Sequence, residues 1–331
     1  MSPISSHASK SRSARRGQLR GAALISLLSF ALLQGCASTL PIEQLAAETG
    51  RQTTSAAFVS DLPFHPQEDY QCGPAALATV LGASGLAISP EDLVPLVYVP
   101  GRKGSFQFEM MAAARRHERL AYPLEGGLPA LLSELDAGNA VLVLQNLGVN
   151  WYPVWHYAVV RGYDLASGTV VLNSGRTENY RVKLSTFERT WQRSQHWGLV
   201  VLEAGKVPAT GEPDTYFTAI SPQLTGTSAA SAAVQEALLV GGLERWPTHL
   251  ELLMARGNQL YAAGRLDEAL QQFETAAQHH PSYPYAWNNQ AVVAAELGRR
   301  EQAREAIEKA RSLVAADDPI VSSTWRELGF Q

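Results

Sequence analysis

The chain has 331 residues, a formal net charge of −4 and 46% apolar content. That length accommodates two domains, and the composition is that of a globular protein with enough aromatic residues for a substantial core. No basic patch lies beyond the N-terminus, which argues against nucleic acid as a partner.

Lys10, Arg12, Arg15, Arg16 and Arg20 precede an apolar run from Ala22 to Leu33, and no acidic residue occurs before Cys36. This is a charged leader followed by a segment too short to span a membrane comfortably. It ends in Leu33-Gln34-Gly35-Cys36, which resembles a bacterial lipobox. The resemblance implies that residues 1–35 are a removed signal peptide and that Cys36 is lipidated. Loss of the five basic residues would take the net charge from −4 to −9, so acyl chains would be the membrane anchor. Ala37 after the cysteine, in place of Asp, implies the outer membrane, facing the periplasm, in a Gram-negative cell. An uncleaved signal anchor is the plainer alternative.

Residues 36–58 are small and polar and read as a tether. Residues 59–203 carry mixed patterns. Leu77, Val80 and Leu81 recur at helical spacing just after Cys72, with Pro74 in the first turn, where no N–H is needed. Ser89-Pro90-Glu91-Asp92 reads as an N-cap, and its helix should run through Val97. Helices are also expected over Phe106–His117 and Leu128–Leu135. Strands are expected over 140–144, 156–163, 169–172 and 198–202, with a turn at 164–168 between the second and third. Helices first and an antiparallel sheet afterwards make this an α+β region.

Gly205, Pro208, Gly211 and Pro213 mark 204–215 as a linker between separately folding domains. Residues 216–331 read as all-α. Gly257, Gly264, Ala269, Phe273, Ala276 and Pro281 sit at tetratricopeptide spacing. A shift of 34 residues finds Ala291, Gly298, Ala303, Ile307 and Ala310. Clear repeats are therefore assigned to 250–283 and 284–317, with a degraded copy over 216–249. An ordinary helical hairpin domain is the bland alternative.

Only Cys36 and Cys72 are present, and each sits in a motif that explains it alone, which disfavours a disulfide. A thiol nucleophile needs a base, donors for the oxyanion and a lowered pKa. A histidine, a glutamine and a helix N-terminus supply these in turn. Cys72 heads a helix, Gln67 stands five residues before it, and His156 lies in an expected strand. No histidine pair has metal-ligand spacing, so neither a metal nor a cofactor is expected.

Gln67, Cys72-Gly73-Pro74-Ala75-Ala76-Leu77 and His156-Tyr157-Ala158-Val159-Val160-Arg161-Gly162 together resemble the papain-like bacteriocin-processing (double-glycine leader) peptidase family. The resemblance covers about residues 62–202. It implies a papain-like α+β cysteine peptidase core ahead of the tetratricopeptide region. Cys72 would be the nucleophile, His156 the general base and Gln67 an oxyanion donor beside the Cys72 N–H. Asn173 matches the family's orienting residue in sequence, with Asp164 and Ser174 as weaker candidates. A regular hairpin would place Asn173 nearer Val159 than His156, unless a bulge intervenes. Gln67 also stands one residue closer to the cysteine than is usual, and no phosphate-binding loop of an export ATPase is present. The resulting expectation is a membrane-anchored cysteine peptidase whose repeats recruit substrate or partner proteins. A papain-like cell-wall amidase and an inactive repeat scaffold are the alternatives.

Overall fold

The computed structural model describes residues 54–66, 71–225 and 230–330, all within one compact unit, Ile42–Gln331. Cys36, with the lipobox, and Gln67 lie outside the described residues.

The centre is an antiparallel sheet. Its strands are β1 (Ala56–Phe58), β4 (Arg119–Pro123), β5 (Val141–Asn146), β6 (Trp155–Asp164), β7 (Thr169–Ser174), β8 (Thr177–Lys183) and β9 (Gly198–Glu203). They run in the order β4-β9-β5-β6-β7-β8, with β1 added beside the far end of β6. β2 (Tyr98–Val99) and β3 (Gly104–Ser105) form a separate small pair.

Period-two alternation divides the core. Val141, Val143, Ala158, Val160, Val200 and Leu202 join one buried cluster. Leu142, Leu144, Tyr157, Val159, Leu199 and Val201 join the other. Both faces are covered, which is why these strands read as continuous apolar runs rather than as alternating ones. Helices α1 (Cys72–Ala83), α2 (Pro90–Val97) and α3 (Gln107–Arg116) cover the second face. Helices α4 (Gly127–Asp136), α5 (Leu184–Gln192) and α6 (Pro213–Leu224) cover the first. Ser89 caps α2 as expected, its hydroxyl accepting from the Asp92 N–H.

The Gly/Pro-rich stretch 204–215 is not a free linker. The Glu134 carboxyl, fully buried in α4, accepts from the Thr210 N–H at 2.7 Å, the Thr210 hydroxyl at 2.6 Å and the Ala209 N–H at 3.3 Å. The Glu212 N–H donates to the Tyr122 hydroxyl at 3.1 Å. Tyr216 and Ile220 of α6 then enter the same cluster as Leu120 and Tyr122, joined by Leu238, Leu239 and Leu252 from the helices that follow. Each such side chain contributes roughly 1.5–3 kcal/mol on burial. The expected boundary between two separately folding domains therefore runs through a shared core.

Beyond α7 (Ala232–Arg245), two helix pairs follow: α8 (Leu250–Ala262) with α9 (Leu266–His279), and α10 (Pro284–Glu296) with α11 (Arg300–Ser312). The chain ends with α12 (Pro319–Glu327). Gly257 is required by packing, since a Cβ there would lie 2.5 Å from the Phe273 ring of the paired helix. Ala269, Ala303, Ile307 and Ala310 are buried at the expected repeat positions. Among the described residues, no helix is long and apolar enough to cross a membrane.

Candidate active site

Cys72 is the first residue of α1, and its half-buried thiol is free. Gly73 is required by close approach, because a Cβ there would meet the Ser105 Oγ at 2.3 Å. Ser105 in turn accepts the Tyr157 hydroxyl on its carbonyl at 3.2 Å. The segment 104–105 thus lies between the head of α1 and β6.

Burial pushes the Cys72 thiol up from its ordinary pKa. The backbone N–H groups of Tyr157, Gly73 and Cys72 itself oppose that shift without cancelling it. The Tyr157 N–H belongs to the peptide unit that joins it to His156, so the structure brings the His156 backbone to the sulfur. Burial also lowers the pKa of His156. Both directions disfavour charge. Burial thus works against charge on both groups, whereas the helix N-terminus alone works toward a thiolate. No hydrogen bond joins the Cys72 sulfur to the imidazole.

The imidazole is held from the other side. His156 Nε2 lies 2.9 Å from Ser174 Oγ, and Nδ1 has no partner among the described residues. Asn173 does not make this contact. Its Oδ1 accepts from Arg161 Nη1 at 3.4 Å and from the Asn179 N–H at 3.3 Å, and its Nδ2 is buried without a partner among the described residues. The reason is register. Val159 faces Asn173, and the bulge in β6 falls between Val160 and Gly162, too far along to alter that pairing. Ser174, one residue on, shares the face of His156. Asp164 is also elsewhere: at the far end of β6 it accepts from the N–H groups of Ala166 and Ser167 and closes the turn.

Arg161 was part of the sequence motif without an assigned task. Its buried guanidinium donates to the Val59 carbonyl at 2.8 and 3.1 Å and to the Ser60 carbonyl at 2.8 Å, and pairs with Glu178 at 3.0 Å. It pins the segment that leads toward Gln67 to the sheet. Sequence spacing could not reveal this, because the partners lie about a hundred residues away.

Trp151, 86% exposed, and Tyr152, 68% exposed, project from the connection between β5 and β6, beside the half-exposed Trp155. They form a rim and no part of the core. On the helical side, His249 Nε2 meets Asp214 at 2.9 Å and Glu251 at 3.4 Å, a grouping with metal-ligand chemistry that sequence distance concealed. Its Nδ1 is buried without a partner among the described residues. Among the described residues, the outer acceptor that orients a metal-bound histidine is missing.

Residues 59–198 match the family model described as the Peptidase C39 like family. This is a C39-like peptidase domain. Residues 260–323 match the tetratricopeptide repeat, so the C39-like domain is followed by tetratricopeptide repeats. A putative C39-like peptidase from Bacillus anthracis is 17% identical, covering 45% of this chain and 98% of its own, with a TM-score of 0.39. The peptidase domain of Streptococcus ComA, a bi-functional ABC transporter involved in a quorum sensing pathway, is 18% identical, with coverages of 43% and 98% and a TM-score of 0.34. A double glycine motif protease from an AMS/PCAT transporter, in complex with its leader peptide, is 20% identical, with coverages of 44% and 92% and a TM-score of 0.34. No curated protein matches the chain.

Proposed function

We propose that this chain is a cysteine peptidase that hydrolyses peptide bonds through Cys72 and His156, anchored to the cell envelope by lipid on Cys36. One observation carries the reading. The thiol at the head of α1 is surrounded by the N–H groups of Cys72, Gly73 and Tyr157, one peptide unit from His156. Preorganised N–H donors of this kind stabilise an oxyanion.

In the proposed reaction a substrate carbonyl enters beside Cys72. The Nδ1 of His156 takes the thiol proton as sulfur attacks, and the imidazolium returns it to the leaving amine. Water then adds to the thioester by the same route and releases the acid. Ser174 fixes the ring through Nε2, in place of Asn173. Gln67 is retained as an oxyanion donor. Burial disfavours charge on both groups, which favours proton transfer along with attack over a preformed ion pair. Apo sites often close their catalytic hydrogen bond only with substrate bound. The tetratricopeptide region supplies a surface for a protein partner or substrate.

A second reading, a repeat scaffold with an idle peptidase-like domain, is favoured by the missing bond between Cys72 and His156. Iodoacetamide separates the two. A working nucleophile takes up one equivalent at Cys72, and its loss parallels the loss of hydrolysis of a mixture of internally quenched peptides. Hydrolysis that survives complete alkylation removes the first reading.

A further inference from the structure

The connection between β5 and β6 and the end of α5 border an open cavity of about 450 Å³, lined by Asn146, Asn150, Pro153, Trp155, Gln192 and Arg193. Its position ties it to the catalytic pair. Asn146 faces Trp155 across the β5–β6 ladder, and the next rung is Gln145 with His156. The rung that lines the cavity thus adjoins the rung of the proposed base, its side chains set on the other face of the sheet.

Its chemistry is one-sided. Arg193 donates through Nη1 to the carbonyls of Asn146, at 3.3 Å, and Gly148. Among the described residues its Nε and Nη2 make no bond and it has no carboxylate partner. No acidic residue is among the lining residues. Asn146 is 2% exposed, and its Oδ1 accepts two N–H groups, those of Gly148 and Val154, each at 3.0 Å. Two donors fix which end of the amide is oxygen. Its Nδ2 makes no hydrogen bond among the described residues and is reached by solvent from the cavity side.

We infer that this cavity is an anion-accepting subsite that takes a carboxylate of the peptide substrate near the scissile bond. Arg193 offers the charge and the planar donor fork, Asn146 an uncommitted amide N–H, and Trp155 an apolar wall. The carboxylate is either an acidic side chain or a free chain end. The biological meaning rests on the peptidase reading above, but the test does not.

The test is a binding titration on the full chain, followed by the Trp155 indole N–H signal and assigned with Trp155→Phe. Three probes are compared. N-acetyl-glutamate methylamide carries a side-chain carboxylate, N-acetyl-glutamine a terminal one, and N-acetyl-glutamine methylamide none. At least one acid should bind about tenfold tighter than the neutral probe, the worth of one charge-assisted pair. The stronger of the two identifies the source. Arg193→Gln should bring both acids down to the neutral probe, and Arg193→Lys should keep part of the preference. Equal binding of all three probes by the unaltered chain overturns the inference, even if Arg193→Gln fails to fold. So does a preference that Arg193→Gln leaves intact. No turnover is read, so an idle Cys72 would not disturb the result, and a working peptidase indifferent to carboxylates would still fail it.

Discussion

His156 Nε2 lies 2.9 Å from Ser174 Oγ, across the β6–β7 hairpin, while neighbouring Asn173 turns to Arg161 on the opposite face. The two residues should therefore respond differently to replacement. Ser174→Ala frees the imidazole and should lower kcat about tenfold, the effect of losing one hydrogen bond of roughly 1.4 kcal/mol, with KM unchanged. Asn173→Ala should leave kcat alone and cost about 1–2 kcal/mol of stability, because it strips an acceptor from a buried guanidinium. Steady-state kinetics and urea melts on both variants check this. A kcat loss confined to Asn173→Ala would reverse the assignment.

The burial of Cys72 has a pH signature. With the thiol pKa raised by burial, the iodoacetamide rate at Cys72 should still be climbing past the ordinary thiol range, about 8.5. A plateau reached below neutrality would mean a preformed thiolate–imidazolium pair.

Stability carries the matching sign. The folded pKa of His156 is lowered, so between the ordinary histidine value, about 6.5, and the folded value, only the unfolded chain takes the proton. Stability should fall with pH through that window and be unaffected by His156 above it. His65, also lowered mainly by burial, adds in the same direction. The comparison must therefore be with His156→Gln, which should flatten part of the slope between urea melts at pH 7 and pH 5. An unchanged slope would contradict the burial argument.

The core shared by the sheet and helices α6 to α8 should make these elements one cooperative unit. Tyr216 is fully buried, and its hydroxyl donates to the Leu238 carbonyl at 2.8 Å. Tyr216→Ala should cost about 3–5 kcal/mol, as other buried aromatic truncations do. It should also speed alkylation of Cys72 in moderate urea, although Cys72 packs in the cluster on the other side of the sheet. A chain cut near Gly205 should aggregate, since it bares the face of Leu120 and Tyr122. A monomeric, folded fragment 37–205 would restore the picture of two independent domains.

The anchor is tested separately. Cys36→Ser should abolish incorporation of radiolabelled palmitate and release the protein from the membrane fraction. Equal palmitate in both forms would dismiss the lipobox reading.

Legibility followed locality. The helix at Cys72, the cap at Ser89 and the buried strands around Leu142, Val159 and Val200 were readable because composition and period decide them within a few residues. β8 was not, because Thr177–Lys183 is a solvent-facing edge strand with almost no apolar residue. α5 was hidden because its core contacts rest on only Leu184, Phe187 and Trp191 among polar neighbours. Gly205, Pro208, Gly211 and Pro213 correctly marked turns and a helix start. They carried no information about what the turns pack against, and the decisive residue, Glu134, lies some seventy positions earlier. In the site, residue type pointed to Cys72 and His156, and regular hairpin spacing already set Asn173 against Val159, as found; only the contact of Ser174 with the ring needed side-chain geometry.

The most direct measurement is hydrolysis of the internally quenched peptide mixture by the unaltered chain, by Cys72→Ser and by His156→Gln, with alkylation mapped on each. The account requires turnover by the unaltered chain alone, one alkylated site at Cys72, and slowed alkylation in His156→Gln. Hydrolysis retained by Cys72→Ser would contradict it.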